Sequence, residues 1–141
     1  MTSQQLNNLV KVGQMKTEPG SQTEFNGLLH SGKARLIDAC NTTLSIESRF
    51  DLAYNAAHAL ALAALRWHGF RSENRYLVFQ TLEHTLGIPP AQWRVLAKCH
   101  ERRNLAEYEG YLEIDDQLIA DLIKATELLL EKVSALGAVP A

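Results

Sequence analysis

The stretch DLAYNAAHALALAALRW, from Asp51 to Trp67, decides the fold class. Placed at about 100° per residue, Ala56, Ala57, Leu60, Ala61, Ala63, Ala64 and Trp67 cover nearly the whole circumference of a helix. A helix that is apolar all round belongs at the centre of a bundle, and its alanines let neighbouring backbones approach closely. Ser45 upstream is a fair N-cap, because its hydroxyl can accept from the unpaired amides of the first turn. Gly69 supplies the stop.

The segments on either side have the same helical period. Leu6, Leu9 and Val10 suggest a short amphipathic N-terminal helix, which TEPGS over 17–21 breaks. Over 22–43, Phe25, Leu28, Leu29, Leu36 and Ile37 recur at helical spacings, with Gly27 and Gly32 weakening the first half. Ser72 can cap a further helix running to Leu86 with Tyr76, Leu77, Phe79 and Leu82 among its apolar positions, and Gly87 as its stop. Pro90 suits the first turn of a helix that reaches Glu109, where Gly110 loosens the end. Asp115 and Asp116 suit the start of a last helix carrying Leu118, Ile119, Leu122, Ile123, Leu129 and Leu130 as far as Ala135. No β-alternation of useful length appears. The expectation is an all-α, up-and-down bundle of four main helices with a fifth at the N-terminus. Residues 1–21 form an N-terminal helix and linker, 22–136 the bundle and 137–141 a flexible tail.

The 141 residues are enough for one domain with its own core. A net charge of −2 with 21% charged residues does not describe a nucleic-acid coat protein or a membrane-surface binder. The average hides a contrast. From Arg66 to Arg103 seven basic residues face three acids, whereas from Glu107 to Glu131 eight acids are opposed by Lys124 alone. A local basic surface is compatible with this distribution. Cys40 and Cys99 lie far apart in helical segments and read as free, buried thiols rather than a disulfide. The start MTSQQLNN is polar, so no signal peptide is visible, and the apolar run from Ala56 to Trp67 is too short to span a bilayer. A cytoplasmic protein with no membrane role is expected.

CHERRNLAEYEGY, from Cys99 to Tyr111, departs from ordinary helix filling. Trp93, Leu96, Ala97, His100, Asn104, Glu107 and Tyr111 share one broad helical stripe with Arg103 at its edge, while Cys99, Arg102 and Ala106 lie on the other side. The stripe turns from apolar to polar without changing face, which places the polar groups on the packing side. Asp51, Asn55 and His58 recur at helical spacing in the central helix, and buried polar groups need partners. If the two stripes meet they form one polar cluster with Arg103 as its cation. Such a cluster either fixes helix register, with Arg103 bridging to Glu107 one turn on, or forms a functional site.

Other chemistries fit poorly. HERRN has Asn104 where a zinc protease needs its second histidine, and the neutral amide makes His100, Asn104 and Glu107 a weak metal set. No GxSxG, Walker loop, CxxC or glycine-rich phosphate cradle is present. Neither metal nor cofactor is expected.

Two of these segments together resemble the HEPN domain family, small helical bundles found widely in prokaryotes. DLAYNAAHALALAAL is similar to the family's alanine-rich central helix. RNLAEYEG, from Arg103 to Gly110, resembles the family's signature, in which Arg and a polar neighbour are followed four to six residues on by His. The likeness covers roughly 22–135. It implies a homodimer in which two motifs share a cleft, and RNA or a nucleotide as ligand. It also implies, in some systems, a nucleotidyltransferase-type antitoxin partner. Many members are metal-independent endoribonucleases of toxin–antitoxin or stress systems; others only bind nucleotides or partners. Carried over by position, Arg103 is the phosphate-binding or transition-state residue and Asn104 its polar neighbour. Tyr108 stands where the histidine is expected. A phenol, with a pKa of about 10, is a poor acid–base group at neutral pH, so His100 or Glu107 would have to supply that chemistry. The resemblance therefore implies a non-catalytic nucleotide-, nucleic-acid- or partner-binding module, or a ribonuclease with a non-standard acid and base.

Overall fold

The computed structural model describes residues 4–140 and is an all-α bundle. Helix α3 (Ile46–Trp67) is its axis, with twelve of its 22 residues buried. Ser45 caps it by accepting from the Ser48 amide at 3.1 Å. Helix α2 (Gln22–Ala39) lies along one side of α3 and helix α7 (Asp116–Ser134) along another. The α2–α3 approach is close because Gly32 has no side chain: a Cβ there would stand 2.6 Å from Leu60 Cγ. The glycine that weakens α2 as an isolated helix is thus what lets it pack. Helix α2 ends at Ala39, short of 43, and Asn41 then turns the chain by accepting from the Thr43 amide and hydroxyl. Of the apolar residues expected inward on α2, Phe25 and Leu36 are buried, but Ile37 is 62% exposed.

The segment over 72–86 is not one helix. It begins at Asn74, whose side chain accepts from the Leu77 amide, while Ser72 accepts from the Asn74 amide. It then divides into α4 (Arg75–Gln80) and α5 (Leu82–Thr85) at Thr81. The buried Thr81 hydroxyl donates to the Val78 carbonyl at 2.7 Å, a local bond that competes with the helical ladder. Helix α6 (Pro90–Glu109) starts with proline in its first turn and ends where Gly110 adopts φ +82°, a conformation glycine reaches without steric cost. Asp115 caps α7 by accepting from the Leu118 amide.

Residues 4–21 share the bundle's core. Helix α1 (Gln4–Lys11) buries Leu6, and Met15 joins the same apolar cluster. Two short strands absent from the all-helical reading meet here: β1 (Lys16–Thr17) pairs antiparallel with β2 (Phe70–Arg71). Arg66, 2% exposed, anchors this junction. It donates to the carbonyls of Glu18, Pro19 and Phe70 and to the Glu24 carboxylate, and Arg71 pairs with both Glu18 and Glu24. Burial pushes the Glu24 carboxyl up, but hydrogen bonds from Arg71 and Arg66 outweigh it and hold it below its ordinary value. These two arginines therefore drop out of the basic surface suggested by the charge distribution. At the other terminus, residues 137–140 are not a free tail: Gly137 accepts from the Trp67 indole N–H, and the Val139 amide donates to Gln22. Cys99 is buried as expected, Cys40 is exposed, and both are free thiols. No described helix is long and apolar enough to cross a membrane.

Candidate functional site

The inward line of α6 runs through Leu96, Cys99, Arg103 and Ala106 rather than Leu96, His100, Asn104 and Tyr111. Leu96 and Cys99 are its two buried residues. A spacing of three and four residues has two neighbouring solutions on a helix, and the thiol and small Ala106 fit the packed side better than the amide and carboxylate do. As a result Tyr108 is 88% and Tyr111 63% exposed, and neither joins a polar cluster. Glu107 is exposed too, but its carboxylate stands 3.7 Å from Arg103.

The two polar stripes do meet, around a residue that neither contains. Tyr54, 1% exposed, is held by Phe50 stacked at 6.1 Å and by the edge of Phe79 at 5.9 Å. Its ring receives the Arg103 guanidinium at 5.2 Å and the Arg75 guanidinium at 5.6 Å, both within cation–π range. Its hydroxyl is 2.9 Å from His100 Nδ1, and Asn104 Nδ2 is 3.1 Å from His100 Nε2. With the Asn104 amide donating to Nε2, Nδ1 carries the ring proton and donates to the phenol oxygen. The phenol proton is then left for another acceptor. Asp51 is 3.9 Å from Arg103 Nε, and Asn55 accepts from Arg75 at 3.1 Å. His58 lies deeper, edge-on to Phe79 at 6.0 Å.

The electrostatics follow from burial and two cations. Burial, with Arg75 and Arg103 adding to it, lowers the pKa of His100, so its imidazole is neutral at physiological pH. Burial, then Arg75 and His100, pushes His58 down to about 4. Tyr54 is raised by burial, which outweighs the opposing pull of Arg75 and Arg103, so it keeps its proton. The Arg103 Nε has no hydrogen-bond partner although it is buried. Its two carboxylate neighbours are 63% and 67% exposed and stand beyond hydrogen-bond distance, so solvent screens them. Two guanidiniums therefore converge on one ring without a firmly bound counter-charge.

Asp51, Asn55, His100, Arg103, Asn104 and Glu107 are brought together, with His58 behind them; Tyr108 and Tyr111 are not. Sequence reasoning missed Tyr54 and Arg75. Tyr54 carried a signal, since it falls on the line joining Asp51 and His58 and is the one aromatic among the alanines. Arg75 carried none, because its place depends on where α4 begins. Among the described residues no group of three or more His, Cys, Asp or Glu side chains is arranged to hold a metal ion. Compared with known proteins, the chain matches no family model and no curated sequence.

Proposed function

We propose that this chain is a HEPN-like module that binds a phosphate of RNA or of a nucleotide on the face shared by α3, α4 and α6. The observation that carries this reading is the pair of guanidiniums, Arg75 and Arg103, over the single buried ring of Tyr54. Guanidinium groups present planar, forked donors that match phosphate oxygens, and the Arg103 side chain, 36% exposed, has its Nη donors to offer one. An arriving phosphate would displace the loosely held Asp51 and Glu107 and supply the firm counter-charge. Exposed Tyr108 near the end of α6 and Tyr111 just beyond it support association with a second copy, in which two such faces share a cleft.

A second reading, a metal-independent ribonuclease, is favoured by one observation. The neutral imidazole of His100 lies one helical turn from Arg103 and is oriented by Tyr54 and Asn104. With a ribose hydroxyl in place of the Asn104 amide at Nε2, it could accept a proton there from the 2′-hydroxyl while Arg103 stabilises the charge developing on phosphorus.

Fluorescence anisotropy of a labelled single-stranded RNA in EDTA tests the binding reading. A charge-assisted hydrogen bond contributes about 1.5–3 kcal/mol, so Arg103→Ala should weaken binding by roughly 10- to 100-fold with the helical content unchanged. Equal affinity in wild type and Arg103→Ala refutes it. RNA cleavage in the same buffer, abolished by both Arg103→Ala and His100→Ala, would select the ribonuclease reading instead.

A further inference from the structure

Beside the phosphate-binding face, α4 and α6 enclose an open depression of about 490 Å³. Its aromatic element is Tyr76, which is 43% exposed although its position in the sequence reads as apolar core. The ring lies 6.1 Å from that of His100, whose ring in turn is 6.4 Å from that of Tyr54. His100 is thus shared: one neighbouring ring carries the two guanidiniums, and the other opens into the depression. Leu105, 42% exposed, and Ala97 provide further apolar surface. Arg94 and Lys98 add positive charge along the same wall, against Glu101 alone.

We infer that this depression seats a nucleobase adjoining the phosphate held by Arg75 and Arg103, so that the ligand is single-stranded RNA rather than an isolated phosphate group. The inference rests on the phosphate-binding reading and adds to it a subsite and a substrate class. An exposed aromatic ring beside a basic track is how single strands are held without base pairing, since every base has a face to stack. Tyr76 offers that face, and Leu105 lines the same depression. Arg94 lies one helical turn before Lys98, so two positive charges line one wall for the backbone of a second nucleotide. Arg102, a turn further on, is paired with Glu113 outside the depression. The Asn104 amide donates to His100, and its carbonyl oxygen stays open to solvent at the rim, where it can accept from an exocyclic amine. Duplex RNA, whose bases are stacked and paired, cannot present a base to this depression.

The test compares two probes of equal length, a single-stranded RNA and a strand in which abasic sites replace its bases, bound to wild type, Tyr76→Ala, Tyr76→Phe and Arg103→Ala. Tyr76→Ala should weaken the intact strand by roughly 5- to 150-fold, the range for losing a base-stacking aromatic, and leave the abasic strand unchanged. Tyr76→Phe should bind as wild type. Arg103→Ala should weaken both strands. Unchanged binding of the intact strand by Tyr76→Ala, with Arg103→Ala still defective, overturns the subsite and leaves the phosphate reading standing. Failure of wild type to bind either strand overturns both. Loss of self-association in Tyr76→Ala with RNA binding intact would assign the depression to a second copy of the chain and overturn the inference. A circular dichroism melt of each variant separates these outcomes from misfolding.

Discussion

Acidifying the solution from pH 7 to pH 5 should destabilise this protein through His58 in particular. The imidazole packs against Phe79 with Arg75 and His100 nearby, and its pKa falls from 6.5 to about 4 on folding. The unfolded chain therefore binds the proton more readily, so stability present above pH 6.5 is lost as the pH drops towards 4. A pKa unit is worth 1.36 kcal/mol, which puts the full effect at roughly 3 kcal/mol. By pH 5 the linkage relation gives a loss of about 2 kcal/mol, or roughly 30-fold in the folding constant. His68 and His100 are lowered too and act in the same direction, so the variant His58→Leu is needed to isolate the contribution. Urea unfolding followed by circular dichroism at pH 7, 6 and 5 is the assay. The wild type should lose about 2 kcal/mol more than His58→Leu over that range. Parallel pH dependences in the two proteins would refute the reasoning, because they would mean that His58 titrates alike in the folded and unfolded chain.

Other expectations concern packing and reactivity. Arg66→Lys should lose about 3 kcal/mol in urea unfolding, since a single ammonium cannot serve three carbonyls and a carboxylate at once; a loss under 1 kcal/mol would contradict this. Gly32→Ala should destabilise by about 1 kcal/mol or more, because overpacking against the fully buried Leu60 exceeds the gain in helix propensity. Gly27→Ala, with nothing within 4 Å of the added carbon, should instead stabilise by up to about 1 kcal/mol, and thermal melts distinguish the two. With a thiol reagent at pH 8, exposed Cys40 should react quickly, while Cys99, pushed up to about 12 mainly by burial, should stay unmodified until the chain unfolds. Two fast equivalents in the native protein would be the contrary result.

The parts of this fold legible in the sequence are those governed by local rules. The alanine-rich run of α3 announces a helix with neighbours on every side, and Pro90 and Gly110 mark the ends of α6 because their backbone requirements do not depend on context. What stayed hidden depends on tertiary partners. Thr81 divides a continuous apolar pattern through one bond to a carbonyl, and no periodicity reports that choice. Arg66 looks like a surface cation at a helix end until the carbonyls of Glu18 and Pro19 are brought beside it from far upstream. On α6 the wheel offered two adjacent stripes, and packing took the one through Cys99. That choice moved Arg103 inward and turned Tyr108 out. The candidate site was half visible for the same reason: Asp51, Asn55, His100 and Arg103 could be paired by spacing, but the ring that joins them lies inside the core pattern.

The unequal anchoring of the two long helices that frame the site determines which wall can move. Helix α3 is gripped along its length by α2 and α7, whereas α6 commits Leu96 and Cys99 alone to full burial among its twenty residues. Amide hydrogen exchange should therefore be slow along α3 and faster beyond Cys99 on α6, the half that carries Arg103 and Asn104. Any adjustment to an incoming ligand becomes a small swing of this outer half against a stationary Tyr54. The swing would change the Arg103–Tyr54 distance while leaving the phenol where the core holds it.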